Sequence, residues 1–272
     1  MTLDVEAFAP EGGSSRHVEL TLEILEALAQ RSITASIFVV GEVASAHPEL
    51  VTAIVESGHE LGLHAHRHVA LEQIGRDAFL EETRVSKDRL EQLSGAAVLG
   101  YRAPMMSLVP STAWAIPMIT TLGFSYSSSV LPARSPHFGW PGLPAEPFRW
   151  KDGPVELPCP VVRIGSNGIP FLGGTYLRLL PWTGVRLLRR LAGPHQLLWS
   201  YCHPYEFDPD EPRWIDPSVG KYGSWMLWYG RRHTWRNLDR VGRYGHGATL
   251  AERVAALPRS LPLVDPESGR RI

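Results

Sequence analysis

The chain has few cysteines, little net charge and no long apolar run, and each shortage excludes a class of protein. Its two cysteines, Cys159 and Cys202, are too few for a disulfide framework and lack the spacing of a zinc knuckle. A formal net charge of -1 offers no basic surface for nucleic acid. No apolar run reaches the length of a membrane span, and no secretory signal opens the sequence. We therefore expect a soluble, cytoplasmic protein without a nucleic-acid partner.

Short apolar runs alternate with amphipathic stretches through most of the chain. Residues 36–40 have the β-branched and aromatic side chains of a buried strand, whereas residues 76–93 have helical spacing. This alternation predicts a parallel sheet covered by helices, and 272 residues suit an α/β barrel that forms one domain, residues 1–272. The proline-rich residues 131–160 are predicted to form an insertion, and residues 206–247 to be rich in loops.

Titratable residues follow several of the predicted strands directly. In a parallel α/β barrel the carboxyl ends of the strands meet on one face, and the active site is built there. Each residue alone is weak support for a site, but the shared position at strand ends is considerably stronger. The residues in these positions are Asp4, Glu6, His64, His66, His68, Arg102 and His203.

His64 and His68 are four positions apart, which places both imidazoles on one side of a helix or tight turn. With a carboxylate from another strand they form a site of two histidines and one acid that leaves positions open for water. Zinc suits this set best, and cobalt, nickel or iron could replace it. The alternative is a solvated histidine-rich loop.

Asp4 and Glu6 lie on the same side of an extended strand, because side chains alternate along it. Two acids directed at one site repel each other unless they have separate tasks or share a cation. One could bind a metal while the other serves as general base. The residues alone leave open which acid is the ligand, and a solvent-facing strand end is the alternative.

Arg102 and His203 also follow strands and could support this chemistry. Arg102 could orient a carboxylate through a bidentate contact and keep it ionised, although a surface ion pair is an equal alternative. His203 could protonate a departing amine near neutral pH, although a lone histidine is often a core residue. Four side chains are candidate pocket walls or simple packing: Met105, Tyr126, Trp140 and Tyr205.

The order of these motifs resembles the polysaccharide deacetylase family, the NodB-homology carbohydrate esterases, and is most similar to the subgroup found near exopolysaccharide assembly loci. The similarity covers most of the chain, and the ordered set of motifs is far more specific than any one of them. The segments that carry it are residues 36–68, GYRAP at 100–104, FSYSSS at 124–129, VELP at 155–158, GGTYLRLLP at 173–181 and CHPYEFDP at 202–209.

The resemblance implies a distorted (β/α) barrel with about seven parallel strands, a loop-rich insertion and a C-terminal extension. It implies a metal-dependent hydrolase that removes an N-acetyl group from an amino sugar or a glycan containing N-acetylglucosamine. One divalent ion, zinc or a replacement for it, would be held by His64, His68 and Glu6. Glu6 is assigned as the ligand because Val5 separates it from Asp4, as in subgroups with an acid-x-acid pattern.

The same resemblance implies the catalytic roles. Asp4 matches the base that activates a water molecule at the metal, Arg102 matches the arginine that orients this base, and His203 matches the general acid. Ser127 replaces an aspartate that the family has before its serine pair, and Ala65 replaces a small hydroxyl residue. These differences concern the pocket lining, and hence the identity of the substrate more than the reaction.

Two alternative functions use the same scaffold. The first is a deacylase for a lipid-linked or small-molecule amide, such as a formamido sugar or a cyclic amide. Tryptophans and arginines in residues 223–236 could then lie at a membrane interface, although a packed loop explains them as well. The second is a catalytically inactive glycan-binding module, which the complete set of acids and histidines argues against.

Overall fold

The computed structural model describes residues 1–272 apart from 11, 12, 14, 136, 137, 165, 166, 218 and 244–246. Its strands are β1 (Thr2–Val5), β2 (Ser36–Val39), β3 (Glu60–Leu63), β4 (Gly100–Tyr101), β5 (Tyr126–Ser127), β6 (Phe148–Trp150), β7 (Val155–Glu156), β8 (Val161–Ile164), β9 (Asn167–Pro170), β10 (Tyr201–Cys202) and β11 (Leu263–Val264). Its helices are α1 (His17–Gln30), α2 (Gly41–Ala46), α3 (Pro48–Glu56), α4 (Arg76–Ser94), α5 (Ala115–Thr121), α6 (Gly174–Leu179), α7 (Trp182–Leu191), α8 (Gly220–Trp228), α9 (Thr234–Gly242) and α10 (Leu250–Ala255).

Within the described residues, nine strands form one sheet in the order β10-β1-β2-β3-β4-β5-β7-β6-β11. The first seven described strands in this order are parallel, and only the β6–β7 pair is antiparallel. This confirms the predicted parallel α/β architecture and its strand number. In the described part of the chain the sheet ends at β10 and β11 and does not close by backbone pairing. Strands β8 and β9 pair antiparallel in a separate two-stranded sheet.

The central strands are buried on both faces, as expected for parallel strands covered by helices. On β2, Ile37 and Val39 belong to the main core, together with residues of α1 and α3 such as Leu28 and Val51. The intervening Phe38 points to the opposite face and joins a second cluster with Trp199. The alternation of side chains along a strand thus divides the interior between a helix-covered face and the concave face of the sheet.

The prediction that residues 206–247 are rich in loops is wrong, because α8 and α9 lie in this range. Helix α8 contains Gly220 and Gly223, which lower helix propensity, so tertiary packing of Trp228 stabilises it. Helix α9 places Trp235, Leu238 and Val241 three positions apart against the main core, an apolar pattern that the prediction overlooked. In the described residues, no helix combines the length and the apolar character needed to cross a bilayer.

Candidate active site

A cavity of about 550 Å³ opens at the carboxyl ends of four parallel strands. Glu6 follows β1, His64 follows β3, Arg102 follows β4 and His203 follows β10. These strands are close neighbours in the sheet order, so side chains far apart in sequence converge on one rim. The cavity is lined by the acids and bases of the sequence prediction: Asp4, Glu6, His64, His68, Arg102 and His203.

Glu6, His64 and His68 form a compact cluster of potential ligand atoms. Oε2 of Glu6 lies 2.5 Å from Nε2 of His68 and 3.9 Å from Nε2 of His64. The ligand atoms of the three residues lie within 4.8 Å of one another. Although the contact with His68 is short, this carboxylate oxygen is buried and receives no well-directed hydrogen bond from the described residues. One carboxylate oxygen and two imidazole nitrogens at these distances from one another fit a shared divalent cation.

A hydrogen bond orients the ring of His64 for this role. Its Nδ1 lies 3.0 Å from the carbonyl oxygen of Arg102, an acceptor, so Nδ1 carries the proton and Nε2 keeps its lone pair. Burial lowers the pKa of His64 to about 4, so the ring is neutral at physiological pH. Neutral imidazole is the form that binds a metal ion.

Glu6 is ionised despite its burial. Burial favours the protonated carboxyl, but the charges on His68 and His203 outweigh it and lower the pKa of Glu6 to about 2. The side chain of His68 is 32% exposed, which leaves one side of the cluster open to the cavity. The set of one carboxylate and two imidazoles with an open side is the pattern of a catalytic rather than a structural metal site.

The turn between the two histidines has an unusual backbone. Ala65 has φ of 58°, in the left-handed region that residues with a Cβ rarely adopt. Its carbonyl oxygen accepts a hydrogen bond from the backbone N–H of Gly41 at 2.9 Å, which holds the turn in place. The conformation reverses the chain directly after His64 and allows His68 to return to the same cavity.

Asp4 lies beside this cluster, and its carboxylate pairs with the guanidinium of Arg102. Nη1 of Arg102 donates to Oδ1 of Asp4 at 2.5 Å and to Oγ1 of Thr2 at 2.7 Å, and Nη2 donates to Oγ of Ser128 at 3.1 Å. Arg102 is fully buried and Asp4 is 3% exposed. The contact with Arg102 thus fixes the position of the Asp4 carboxylate beside the Glu6–His64–His68 cluster.

Two aromatic rings fix the guanidinium of Arg102. It lies 4.0 Å from the ring centroid of Phe38 and 4.5 Å from that of Trp199. These contacts compensate for the burial of the charge and leave the planar group few orientations. Asp4 is therefore presented to the cavity in one direction.

His203 is held by a second buried ion pair, which the sequence analysis did not identify. Nδ1 of His203 lies 3.3 Å from Oε2 of Glu206, and the backbone N–H of His203 donates to the same oxygen at 3.0 Å. The other oxygen of Glu206 accepts from Nη2 of Arg178 at 2.7 Å. The spacing of three residues between His203 and Glu206 in CHPYEFDP is the sequence signal for this contact.

This arrangement favours protonated His203. Burial alone disfavours the charged ring, but attraction to Glu6 and the hydrogen bond with Glu206 raise the pKa of His203 to about 9. Glu206 is itself ionised, since the hydrogen bond with His203 and the charge of Arg178 outweigh burial and lower the pKa of Glu206 to about 2. With Nδ1 engaged by Glu206, the proton available for transfer is on Nε2.

A glycine makes room for Glu206. A Cβ on Gly174, at the start of α6, would lie 2.1 Å from Oε2 of Glu206, closer than atoms can approach. The GGTYLRLLP segment thus supplies both the open space at Gly174 and the cation of Arg178. Its place in the site explains a motif to which the sequence alone gave no role.

The predicted pocket walls divide into two pairs. Met105 and Tyr205 line the cavity, and the ring of Tyr205 stacks on His203 at 5.0 Å. The prediction for Tyr126 and Trp140 is corrected, because neither lines it. Tyr126 lies on the concave face of the sheet and donates to Glu60 at 2.5 Å, and Trp140 packs against Trp150 at 5.2 Å. Apolar cores use aromatic residues in the same way as pockets, so composition alone does not separate the two.

Two family models match this chain in succession. The model of the polysaccharide deacetylase family matches residues 11–120, and a model described as a domain of unknown function (DUF3473) matches residues 128–243. The peptidoglycan-N-acetylglucosamine deacetylase of Bacillus cereus is 31% identical over 87 residues. The match covers 32% of this chain and 32% of that protein, so the chain spans about a third of the length of this curated relative.

Solved structures resemble the whole fold. A Mycobacterium smegmatis protein described as a polysaccharide deacetylase superposes with a TM-score of 0.58 and 21% identity, covering 90% of this chain and 79% of that one. The allantoinase PuuE superposes with a TM-score of 0.60 and 15% identity, covering 93% of this chain and 87% of that one. At these identities the structures show a shared fold alone.

Proposed function

We propose that this chain, whose residues 11–120 match the model of the polysaccharide deacetylase family, is a metal-dependent hydrolase that removes an N-acetyl group from an amino sugar. One observation carries the proposal: the Glu6–His64–His68 cluster shares its cavity with the Asp4–Arg102 pair and with His203. Asp4 and Glu6 precede the first matched region, and His203 lies in the second. We therefore propose that residues 1–272 act as one domain.

Glu6, His64 and His68 would hold one divalent ion, with zinc the first choice and cobalt, nickel or iron as replacements. Such an ion supplies Lewis-acid chemistry: it lowers the pKa of water and polarises an amide carbonyl. Arg102 donates to Asp4 and aims it at the cavity, where the carboxylate can accept the proton of the attacking water. Among the described residues no arginine contacts Glu6 in this way, which supports Glu6 as the ligand and Asp4 as the base.

His203 completes the reaction by proton donation. A leaving amine must be protonated before it departs, and Nε2 of an imidazolium ion can supply that proton. The ion pair with Glu206 keeps His203 protonated, and stacking on Tyr205 fixes the plane of its ring. Base and acid therefore belong to separate ion-pair networks, one that contains Arg102 and another that contains Arg178.

The substrate class follows from the relative and from the cavity. The Bacillus cereus relative is named for N-acetylglucosamine in peptidoglycan, and a cavity of about 550 Å³ accommodates a sugar unit. We therefore propose an N-acetylglucosamine unit within a glycan as the substrate. The test is acetate release from chitotetraose, with the amino sugar product identified by mass spectrometry. Acetate release that requires added divalent metal supports the proposal. A fully metal-loaded protein that releases no acetate contradicts it.

Glu206→Gln should change the pH dependence of this reaction. Glutamine keeps the size of the side chain but removes the charge that holds the proton on His203. Because the folded-state pKa of His203 is raised, the acid is present below that pKa and is lost as pH rises through it. We expect the basic limb of kcat/KM to move to lower pH by about one unit. An unchanged basic limb in a folded, metal-loaded variant would show that Glu206 does not hold this proton.

A further inference from the structure

A second cavity, of about 640 Å³, lies outside the proposed active site. Helix α8 and the segments on either side of it line this cavity, within residues 209–233. Its lining is aromatic and basic, and no carboxylate lies among the described residues that form it. Nothing in the proposed reaction uses these side chains. The aromatic and basic side chains of this lining include Arg213, Trp214, Lys221, Trp225, Trp228 and Arg231.

Three nitrogen donors of this lining lack acceptors. Nε1 of Trp214, Nε1 of Trp228 and Nη2 of Arg231 are buried atoms with no hydrogen-bond partner in the described part of the chain. Trp228 and Arg231 are only 6% and 3% exposed. An unpaired buried donor is costly, so the clustering of three around one cavity points to a ligand that supplies acceptor oxygens.

The charges of the lining favour an anion. Arg231 is partly neutralised, because its Nη1 lies 2.6 Å from Glu211. Arg213 and Lys221 are exposed at the rim and add positive charge without a carboxylate beside them in the lining. The cavity therefore combines buried donors at its wall with cations at its mouth, an arrangement that suits a carboxylate more than a neutral group.

Aromatic rings connect this cavity to the proposed active site. Tyr205, which stacks on His203, lies 4.2 Å from Phe8, and Phe8 lies 5.0 Å from Trp214. The guanidinium of Arg231 lies 5.3 Å from the ring centroid of Tyr205. The two cavities are thus neighbours, separated by a row of tilted aromatic rings that contact one another.

We propose that the second cavity binds a sugar unit that carries a carboxylate, next to the unit that is deacetylated. The ring of Trp225, which lines the cavity and is 48% exposed, offers a flat apolar face for the sugar, and the buried donors would bind its oxygens. A concave lining with buried donors fits a saccharide better than a bilayer, which presents no acceptor at that depth. The inference rests on the proposed function for the neighbouring unit, but its test measures binding and does not depend on catalysis.

The test compares two probes of equal length by isothermal titration calorimetry on the metal-loaded protein. Hyaluronan tetrasaccharide alternates N-acetylglucosamine with a carboxylated sugar, whereas chitotetraose carries no carboxylate. We expect the wild type to bind the hyaluronan probe about tenfold more tightly, as for one charge-assisted contact. The Arg213→Ser/Lys221→Ser variant should lose this preference, and Trp228→Phe, which removes one donor but keeps the ring, should reduce it.

The matched control is Arg186→Ser/Arg190→Ser, which removes two exposed arginines of α7 that line neither cavity. This control should keep the wild-type preference. Equal affinity of the wild type for the two probes would overturn the proposal, as would binding to anionic phosphatidylglycerol vesicles but not to the hyaluronan probe. Acetate release from chitotetraose reports on the deacetylase function separately, and the Arg186→Ser/Arg190→Ser control should release acetate at the wild-type level.

Discussion

Glu6→Ala is expected to lose the bound divalent metal, as is the double variant His64→Ala/His68→Ala. These three side chains supply the ligand atoms that converge within 4.8 Å, and the oxygen of Glu6 that faces the histidines has no other well-directed partner among the described residues. Removal of an outer-shell residue already weakens metal binding by about 10–100-fold, so loss of a direct ligand should cost at least about 100-fold. Elemental analysis after dialysis measures the remaining metal.

The control for this experiment is Glu60→Ala, which truncates a glutamate outside the cavity. Glu60 contacts Ser36 and Tyr126 instead of the histidines. The Glu60→Ala variant should retain about one ion per chain, the same content that we expect for the wild type. Retention of a full complement of metal by Glu6→Ala would refute Glu6 as the ligand and would transfer that role to Asp4.

Asp4→Asn is expected to abolish most of the activity and to leave the metal in place. Asparagine has the same size as aspartate and can still contact Arg102, but its amide cannot accept a proton from water. Loss of a general base typically lowers the rate by about 10²–10⁴-fold. The effect should fall on kcat, with KM and the metal content close to those of the wild type.

The matched variant is Asp239→Asn, which alters another aspartate that pairs with an arginine. Asp239 contacts Arg31 at 2.8 Å and lies outside the cavity, so this change should leave kcat unaltered. If Asp4→Asn loses bound metal as well as activity, Asp4 is itself a metal ligand. Wild-type activity in Asp4→Asn would exclude it as the base.

The sequence predicts the fold and the place of the site well, because both depend on local patterns. Apolar runs and amphipathic stretches define the strands and helices, and parallel strands deliver the residues that follow them to one rim. That rule brings Glu6, His64, Arg102 and His203 into the same cavity without any tertiary information. The sequence also directs Asp4 and Glu6 to the same cavity, because residues two positions apart in an extended strand lie on one side of it.

What the sequence does not predict depends on contacts between distant segments. Glu206 and Arg178 meet across 28 positions, and only the fold shows that Gly174 makes room for them. Tyr126 and Trp140 have the composition of pocket walls, but packing places them in the interior. Helix α8 contains two glycines and lacks a clear apolar stripe, so its stability comes from tertiary contacts that no local pattern contains.

The most direct test of the central claim is a titration of acetate release against added zinc, with chitotetraose as substrate, on protein first stripped by a chelator. We expect no activity before zinc is added, a rise that saturates at about one ion per chain, and no recovery in Glu6→Ala. Undiminished activity in stripped protein that is free of metal would contradict a metal-dependent mechanism. Failure of the saturated wild type to release acetate from any N-acetylated glycan would contradict the deacetylase function itself.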